Sequence, residues 1–143
     1  MTVHLVKLCV GAETVGDLRD WVEKRTHQNE KAGHGRIHNH VTRMHPRRET
    51  ELLGGGSLYW VIKGVILVRQ AILGFEKRLG ADQIERTAIL LVPELVLTEP
   101  QHRRAFQGWR YLSAADAPGD LSLKRGKQPP PELSVELAEL GLL

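Results

Sequence analysis

The longest hydrophobic pattern in the chain runs through residues 57–76, SLYWVIKGVILVRQAILGFE. Its even-numbered positions are almost wholly apolar, whereas its odd-numbered positions mix apolar with charged side chains. Alternation with a period of two is typical of β-strands that bury one face, so Trp60 is predicted to lie in the core. Gly64 interrupts the run, which therefore predicts a pair of strands or one strongly bent strand. The second, half-exposed face carries Tyr59, Lys63 and Arg69.

Other segments rich in β-branched, apolar or aromatic residues predict further strands. They span residues 3–10, 38–42, 85–92 and 105–112. The stretch 94–98, ELVLT, fits either a continuation of the preceding strand or a helical turn. Residues 100–104 contain a proline and two arginines, and they predict a basic loop.

Two segments carry helical patterns. Thr14 followed by Asp17 resembles a capping box with a shorter acid, and it predicts the start of a helix that runs to about Arg25. Val15, Leu18, Trp21 and Val22 fall on one face of this helix, which we expect to pack inward. Residues 27–35 are polar and predict a loop, whereas residues 47–53 predict a short helix that ends at three consecutive glycines.

The elements do not alternate as βαβα, and strands outnumber helices in the middle of the chain. The pattern predicts an α+β fold with a curled, mostly antiparallel sheet and two or three peripheral helices. Residues 1–123 are predicted to form a single domain. Residues 124–143 are predicted to form a proline-containing linker and a short C-terminal amphipathic helix.

The single cysteine and the lack of long apolar runs bear on the compartment. Cys9 lies in an apolar run, is expected to be a buried small hydrophobe, and excludes an internal disulfide. The N-terminus does not resemble a signal peptide, and the apolar runs are far shorter than the roughly 20 residues of a membrane-spanning helix. We therefore expect a cytoplasmic protein with no membrane partner.

The formal net charge is +3 and the pI is about 9.2, but the basic residues are unevenly distributed. Between Lys24 and Arg48 there are seven lysines and arginines and one acid, Glu30. A second cluster combines arginines with aromatic residues: Arg103, Arg104, Phe106, Trp109, Arg110 and Tyr111. Arginines beside aromatics suit single-stranded nucleic acid, because guanidinium groups hold phosphates while bases stack on rings.

The stretch HGRIHNHVTRMHPRR, residues 34–48, contains four of the seven histidines. His38 and His40 have the spacing that places two imidazoles on one face of a strand, where they could ligate one metal ion. However, residues 31–48 contain no Asp, Glu or Cys, and nearby arginines oppose a dication. A phosphate-facing or solvated surface is the favoured interpretation, and we expect no metal and no other cofactor.

Four strings of this sequence resemble a bacterial, alphaproteobacterial family called domain of unknown function 1489. In order they are HVTRMHPRR, GGGSLYWVIKGVILVRQAILGFE, PELVLTEP and AFQGWRYL, and the resemblance spans residues 3–121. It implies no active site. The strand SLYWVIKG after a glycine turn is also similar to strands of PUA-like domains of the ASCH and EVE types. That analogy implies a pseudobarrel and RNA or modified bases as ligands.

The sequence leaves three functions open, and none of the common catalytic motifs is present. The first is binding of nucleic acid, with RNA favoured, through a basic and aromatic face. Its predicted contact residues are His40, Thr42, Arg43, Arg47, Tyr59, Lys63, Arg103, Arg104, Trp109 and Arg110. The second is an enzyme or binder that takes a small phosphorylated or nucleotide ligand in a pocket near His40, Arg43 and Lys63. The third is a structural or interaction protein.

Overall fold

The computed structural model describes residues 2–121 and has an α+β fold dominated by one sheet. Its elements, in chain order, are β1 (Val3–Leu8), α1 (Val15–Lys31), β2 (His38–Thr42), α2 (Glu49–Leu53), β3 (Ser57–Ile62), β4 (Val65–Leu79), β5 (Glu85–Leu91), β6 (Val96–His102) and β7 (Trp109–Ser113). The predicted fold class and the two helices within this range are confirmed. The predicted linker and helix at 124–143 lie outside the described residues.

The strands form a seven-stranded sheet in the order β2-β5-β4-β3-β1-β7, with β6 paired to β4. All pairs are antiparallel except β1 and β3, which run parallel because α1, β2 and α2 intervene between them. The long strand β4 pairs with β3 and β6 along its first half and with β5 along its second half. One strand therefore joins two differently oriented parts of the sheet.

The central run 57–76 forms a hairpin whose second strand is long. Lys63 and Gly64 make the connecting turn, with φ of 51° and 80°, and positive φ at both central positions matches the twist of the flanking strands. The pairing register shifts between Trp60 and Val61, so strict number parity does not continue across the hairpin. Tyr59 is 4% exposed, and the prediction that it lies on a half-exposed face is wrong.

Both faces of β3 are buried because the sheet is covered on both sides. Leu58, Trp60 and Ile62 belong to the larger core, which α1 covers. Tyr59 and Val61 belong to a second core, closed by side chains from outside the strands, including Phe106 and Ala117. A strand buried on both faces shows a continuous apolar run, which is what residues 57–62 contain.

The helix α1 is longer than predicted. Thr14 caps it as expected, since its side-chain oxygen accepts a hydrogen bond from the Asp17 backbone N–H at 3.0 Å. Beyond Arg25 the helix continues to Lys31, and its inner face becomes polar. There the Asn29 side-chain amide donates to the Ile37 carbonyl at 2.8 Å, so apolar periodicity could not reveal this last part of the helix. The prediction that Trp21 packs inward is also wrong, because 45% of it is exposed.

The strand β6 runs through Pro100 to His102, where a loop was predicted. A proline has no N–H to donate, so it is tolerated in a strand that pairs on one side only. Pro100 is exposed and has no partner in the register of β6 with β4, and the other side of β6 forms one isolated bridge, between Thr98 and Asp120. The loop predicted from the composition is therefore wrong for residues 100–102, which belong to β6.

The loop of residues 43–48 brings the two ends of the sheet together. Strands β2 and β7 lie at opposite ends of the sheet order, and this loop follows β2. The Trp109 indole N–H donates to the Met44 carbonyl at 3.1 Å, and the Tyr111 hydroxyl accepts hydrogen bonds from the backbone N–H groups of Arg47 and Arg48 at 2.9 and 3.1 Å. These side-chain bonds join the loop after β2 to β7, and the sheet itself is open and mostly antiparallel.

A membrane-crossing helix is not found anywhere in residues 2–121, since neither of the two helices there is both long and apolar enough.

Candidate functional site

A cleft of about 470 Å³ lies between α1 and the sheet, and we call it the α1 cleft. Its walls come from β1, α1, β2 and β3. The lining residues are Lys7, Leu8, Cys9, Val10, Leu18, Trp21, Lys24, Arg25, Gln28, His38, Asn39, His40, Val41 and Trp60. The volume is within the range of small-molecule sites, and the lining mixes aromatic, apolar and cationic groups in the way such sites do.

The charged side chains that line the α1 cleft are all positive. Lys7, Lys24 and Arg25 line it, and its lining contains no aspartate or glutamate. Within residues 2–121, none of these three side chains forms an ion pair. Cations left without carboxylate partners in a concave site raise the local potential and attract anions.

The floor of the cleft is held by a buried glutamine. Gln70 is fully buried, and its side-chain oxygen accepts a hydrogen bond from the Trp60 indole N–H at 2.9 Å. Its amide N–H₂ donates to the Val92 carbonyl at 3.0 Å and faces His38 Nδ1 at 3.3 Å. Because an amide nitrogen only donates, His38 Nδ1 accepts here and the imidazole is neutral.

His40 lines this cleft, and one of its ring nitrogens is enclosed by the protein. Its Nε2 is buried and has no hydrogen-bond partner among the described residues. The ring lies edge-on to Trp60, with centroids 5.1 Å apart and an interplanar angle of 87°. A buried polar atom without a partner costs about 1–3 kcal/mol.

Both histidines of β2 are held neutral. Burial lowers the pKa of His40 to about 4, and the nearby charge of Lys7 contributes. Burial likewise lowers the pKa of His38 to about 4, with a contribution from Arg25. The cations of the cleft therefore lie close enough to the imidazoles to oppose a further positive charge.

His38 and His40 are also the two residues whose spacing in the sequence suggested a metal site. They do line one cleft, as their spacing predicted. Within residues 2–121 no three His, Cys, Asp or Glu side chains are grouped to hold a metal ion. His38 already uses Nδ1 toward Gln70, and the neighbouring charges are positive. This donor set suits an anion or a neutral polar group better than a dication.

Trp21 forms an exposed aromatic wall of the α1 cleft. Its ring approaches Gly11 so closely that a Cβ at that position would lie 2.9 Å from Trp21 Cη2. Gly11 has φ of 92°, a conformation that glycine adopts readily, and its missing side chain lets the indole lie against the backbone. The rest of the ring faces the cleft beside Lys24 and Arg25.

Cys9 lies at the edge of the same cleft and is the only cysteine in the chain. Burial raises the pKa of its thiol to about 11, although a backbone N–H from Ala12 and the charge of Lys7 oppose the shift. The thiolate is the reactive form, so this cysteine is not an activated nucleophile.

We expect Cys9 to react with N-ethylmaleimide about 100-fold more slowly in the folded protein than in the denatured chain at the same pH, because the thiolate is scarcer by that factor. Mass spectrometry of timed samples measures both rates. Equal rates in the folded and denatured chain would contradict the burial of this thiol.

A hydroxyl, an imidazole and a carboxylate also line up outside the cleft. His45 Nδ1 lies 2.9 Å from the Thr87 hydroxyl, and His45 Nε2 lies 2.6 Å from Glu49 Oε1. Such a row resembles a nucleophile with its base. Thr87, however, is only 2% exposed, so its hydroxyl has no room for a substrate. The row instead anchors the loop of residues 43–48 to β5 and α2.

The structure separates the residues that were predicted to contact nucleic acid. His40 lines the α1 cleft, whereas Thr42 is buried and its hydroxyl donates to the Met44 carbonyl at 3.0 Å. Tyr59 is buried edge-on against His4. Lys63 is exposed in the β3–β4 turn, 3.9 Å from Glu13. Of His40, Arg43 and Lys63, which were predicted to share a pocket, only His40 lines the α1 cleft.

The remaining predicted residues lie around β7. Trp109 packs edge-on against Tyr111, 5.0 Å between centroids, on the face that contacts the loop of residues 43–48. The exposed side chains of Arg43 and Arg47 belong to that loop. Arg110 alternates to the opposite face of the strand. The two basic segments are neighbours, as expected, but their arginines do not all project from one face.

Four residues of the cleft were not predicted from the sequence as site residues: Lys7, Trp21, Lys24 and Arg25. One signal was present, because Trp21, Lys24, Arg25 and Gln28 share a helix face at spacings of three, four and seven residues. A tryptophan within a stripe of cations is unusual for a solvated face. The contribution of Lys7, by contrast, depends on the pairing of β1 with β3, which no local pattern reveals.

Comparison with known proteins gives one match. A family model described as a protein of unknown function, DUF1489, matches residues 5–143 and so covers the whole α1 cleft. The match confirms the resemblance drawn from the four sequence strings. Neither the curated proteins nor the solved structures contain a match to this chain.

Proposed function

We propose that this chain, which belongs to the DUF1489 family of proteins of unknown function, binds a small phosphorylated ligand of the nucleotide class in the α1 cleft. One observation carries the proposal. Three cations without ion-pair partners among residues 2–121 converge with an exposed indole on one cleft that has no acid in its lining.

The phosphate would lie among the cations. Arg25 offers a planar fork of N–H donors that matches two phosphate oxygens, whereas Lys7 and Lys24 act as point charges. Burial lowers the pKa of Lys7, which means that its charge is incompletely solvated. A dianionic phosphate supplies the missing countercharge and so binds more tightly than a neutral group of the same size.

A planar base would complete the occupancy of the cleft. The exposed surface of Trp21 lies beside Lys24 and Arg25, which places an aromatic wall next to the phosphate position. Stacking of a base on an aromatic side chain is worth about 1–3 kcal/mol and tolerates different bases. The ring of His40, neutral near pH 7, would lie in the wall of the cleft and add no charge of its own.

We also propose a PUA-like pseudobarrel fold and a cytoplasmic compartment. The hydrogen bonds between residues 43–48 and β7 support the pseudobarrel, the group to which the strand SLYWVIKG is similar. A single buried thiol with no disulfide partner in the chain supports a reducing, cytoplasmic compartment.

Isothermal calorimetry with four nucleoside 5′-monophosphates, the matching nucleosides and inorganic phosphate tests the proposed function. We expect at least one monophosphate to bind more tightly than both its nucleoside and phosphate alone. A Lys24→Gln/Arg25→Gln double variant should bind it about 100-fold more weakly, since each lost charged hydrogen bond is worth about 1.5 kcal/mol.

The matched control removes the same charge elsewhere. Lys31 and Lys77 are exposed and lie outside the cleft lining, so a Lys31→Gln/Lys77→Gln variant loses two charges without touching the site. It should keep the wild-type affinity. Equal weakening in both double variants, or no heat with any monophosphate, would rule out the proposed site.

A further inference from the structure

A second concave surface lies on the other side of β1, and we call it the arginine groove. Alternation along β1 directs Lys7 into the α1 cleft and Val6 into this groove. The groove measures about 660 Å³, and its lining residues are Val6, Gln101, His102, Arg103, Arg104, Ala105, Phe106, Arg110, Tyr111 and Asp116. It is therefore a separate site from the cleft of the proposed function.

Of the nine arginines in residues 2–121 that lie outside this groove, five form an ion pair and four do not. Arg36, Arg48, Arg69, Arg78 and Arg86 each form an ion pair. Within residues 2–121, Arg103, Arg104 and Arg110 form none. Asp116 is the single acid among the lining residues, so the groove keeps a net positive charge.

Two of the three guanidinium groups are held in position by uncharged partners. Arg103 Nε donates to the Gln101 side-chain oxygen at 3.1 Å, and Gln101 in turn donates to the Asp116 carbonyl at 2.9 Å. Arg110 Nη1 donates to the carbonyls of Gln107 and Trp109 at 2.7 and 3.1 Å. These bonds fix each side chain and leave its other N–H groups for phosphate oxygens, which match the guanidinium fork.

The groove also offers a stacking surface. The Arg110 guanidinium carbon lies 5.5 Å from the centre of the Phe106 ring, which supports the arginine from below. A guanidinium plane supported in this way can stack a base on its free face. Arg104 and Arg110 are exposed, so the site is an open track and lacks the enclosing walls of a small-molecule pocket.

We infer that the arginine groove binds single-stranded nucleic acid, with Arg103 and Arg104 on successive phosphates and a base stacked on Arg110. The preference for a single strand follows from the stacking surface, because the bases of a duplex already stack on one another. The inference is independent of the proposed function, since no residue lines both the groove and the α1 cleft.

Fluorescence anisotropy with a labelled 12-nucleotide single-stranded RNA, its duplex and labelled polyglutamate tests this inference at two salt concentrations. We expect the single strand to bind the wild-type protein best. An Arg103→Gln/Arg104→Gln/Arg110→Gln variant should bind at least about 30-fold more weakly. The slope of log affinity against log salt should become shallower by about 1.4, since Arg103 and Arg104 each lose one phosphate contact and each contact with a single strand is worth about 0.7.

Two further variants control for charge and for folding. Arg19→Gln/Lys31→Gln/Lys77→Gln removes three charges outside the groove and should bind RNA like the wild type. Arg104→Gln/Arg110→Gln changes only exposed side chains, so it should remain folded and still lose at least about tenfold in affinity. All groove variants should keep wild-type affinity for the monophosphate of the α1 cleft.

Three results would overturn the inference. The first is an absence of RNA binding by the wild type at low salt. The second is a groove variant with the wild-type affinity and salt dependence. The third is tighter binding of polyglutamate than of RNA, which would make the groove a surface for acidic proteins.

Discussion

Replacement of Gln70 with leucine should lower the free energy of unfolding by about 3 kcal/mol or more, the largest effect we expect from one substitution. Leucine has a similar volume, so the loss comes from hydrogen bonds and not from a cavity. The Trp60 indole N–H, the Val92 carbonyl and His38 Nδ1 would all lose a partner at a fully buried position. Each buried polar group left unpaired costs about 1–3 kcal/mol.

Urea denaturation followed by tryptophan fluorescence measures this loss. The matched control is Gln107→Leu, because Gln107 is exposed and only its backbone carbonyl takes part in a hydrogen bond. That variant should stay within about 0.5 kcal/mol of the wild type. If Gln70→Leu were equally mild, the polar network beneath the cleft would contribute little to the fold.

The second large effect is a loss of stability on acidification. His38 and His40 have folded-state pKa values lowered to about 4, against about 6.5 in the unfolded chain. The unfolded chain therefore binds more protons between pH 6.5 and pH 4. The stabilisation is fully present above pH 6.5 and is lost as the pH falls through this window. Between pH 7 and pH 5 each histidine should account for about 2 kcal/mol.

Chemical denaturation of a His40→Phe variant at pH 7 and pH 5 isolates one of these contributions. Phenylalanine keeps an aromatic edge against Trp60 and cannot be protonated. We expect its stability to fall by about 2 kcal/mol less than that of the wild type over this range. His34→Gln, at an exposed position, should fall as the wild type does. Identical losses in all three proteins would mean that His40 is not held neutral by the fold.

Local sequence patterns predicted most elements of the sheet but not the arrangement of its faces. The hairpin at Gly64 and the strand 38–42 follow from periodicity and turn chemistry. The exposure of Tyr59 was wrong because residues from beyond β6 and β7 cover the second face. Residues distant in the sequence cover this face, so the sequence of the strand itself carries no signal of the burial. The sequences of a half-buried strand and a fully buried strand differ at only a few positions.

The candidate site was predictable only in part, for a related reason. The spacing of His38 and His40 correctly placed both rings on one wall. The other residues of the cleft were not predictable, because the cleft joins β1 and β2. These strands lie apart in the sheet order and are brought together by α1. Burial at this junction also changed the chemistry, since it keeps imidazoles neutral that a solvated basic loop would leave free to charge.

The three tryptophans can report whether a nucleotide-class ligand binds in the α1 cleft, as we propose. Trp21 and Trp60 line the cleft, whereas the Trp109 indole N–H bonds to the Met44 carbonyl in the loop after β2. Titration of ¹⁵N-labelled protein with a nucleoside monophosphate should shift the indole N–H signals of Trp21 and Trp60 and leave that of Trp109 in place. A titration that shifts only Trp109, or none of the three, would contradict the account.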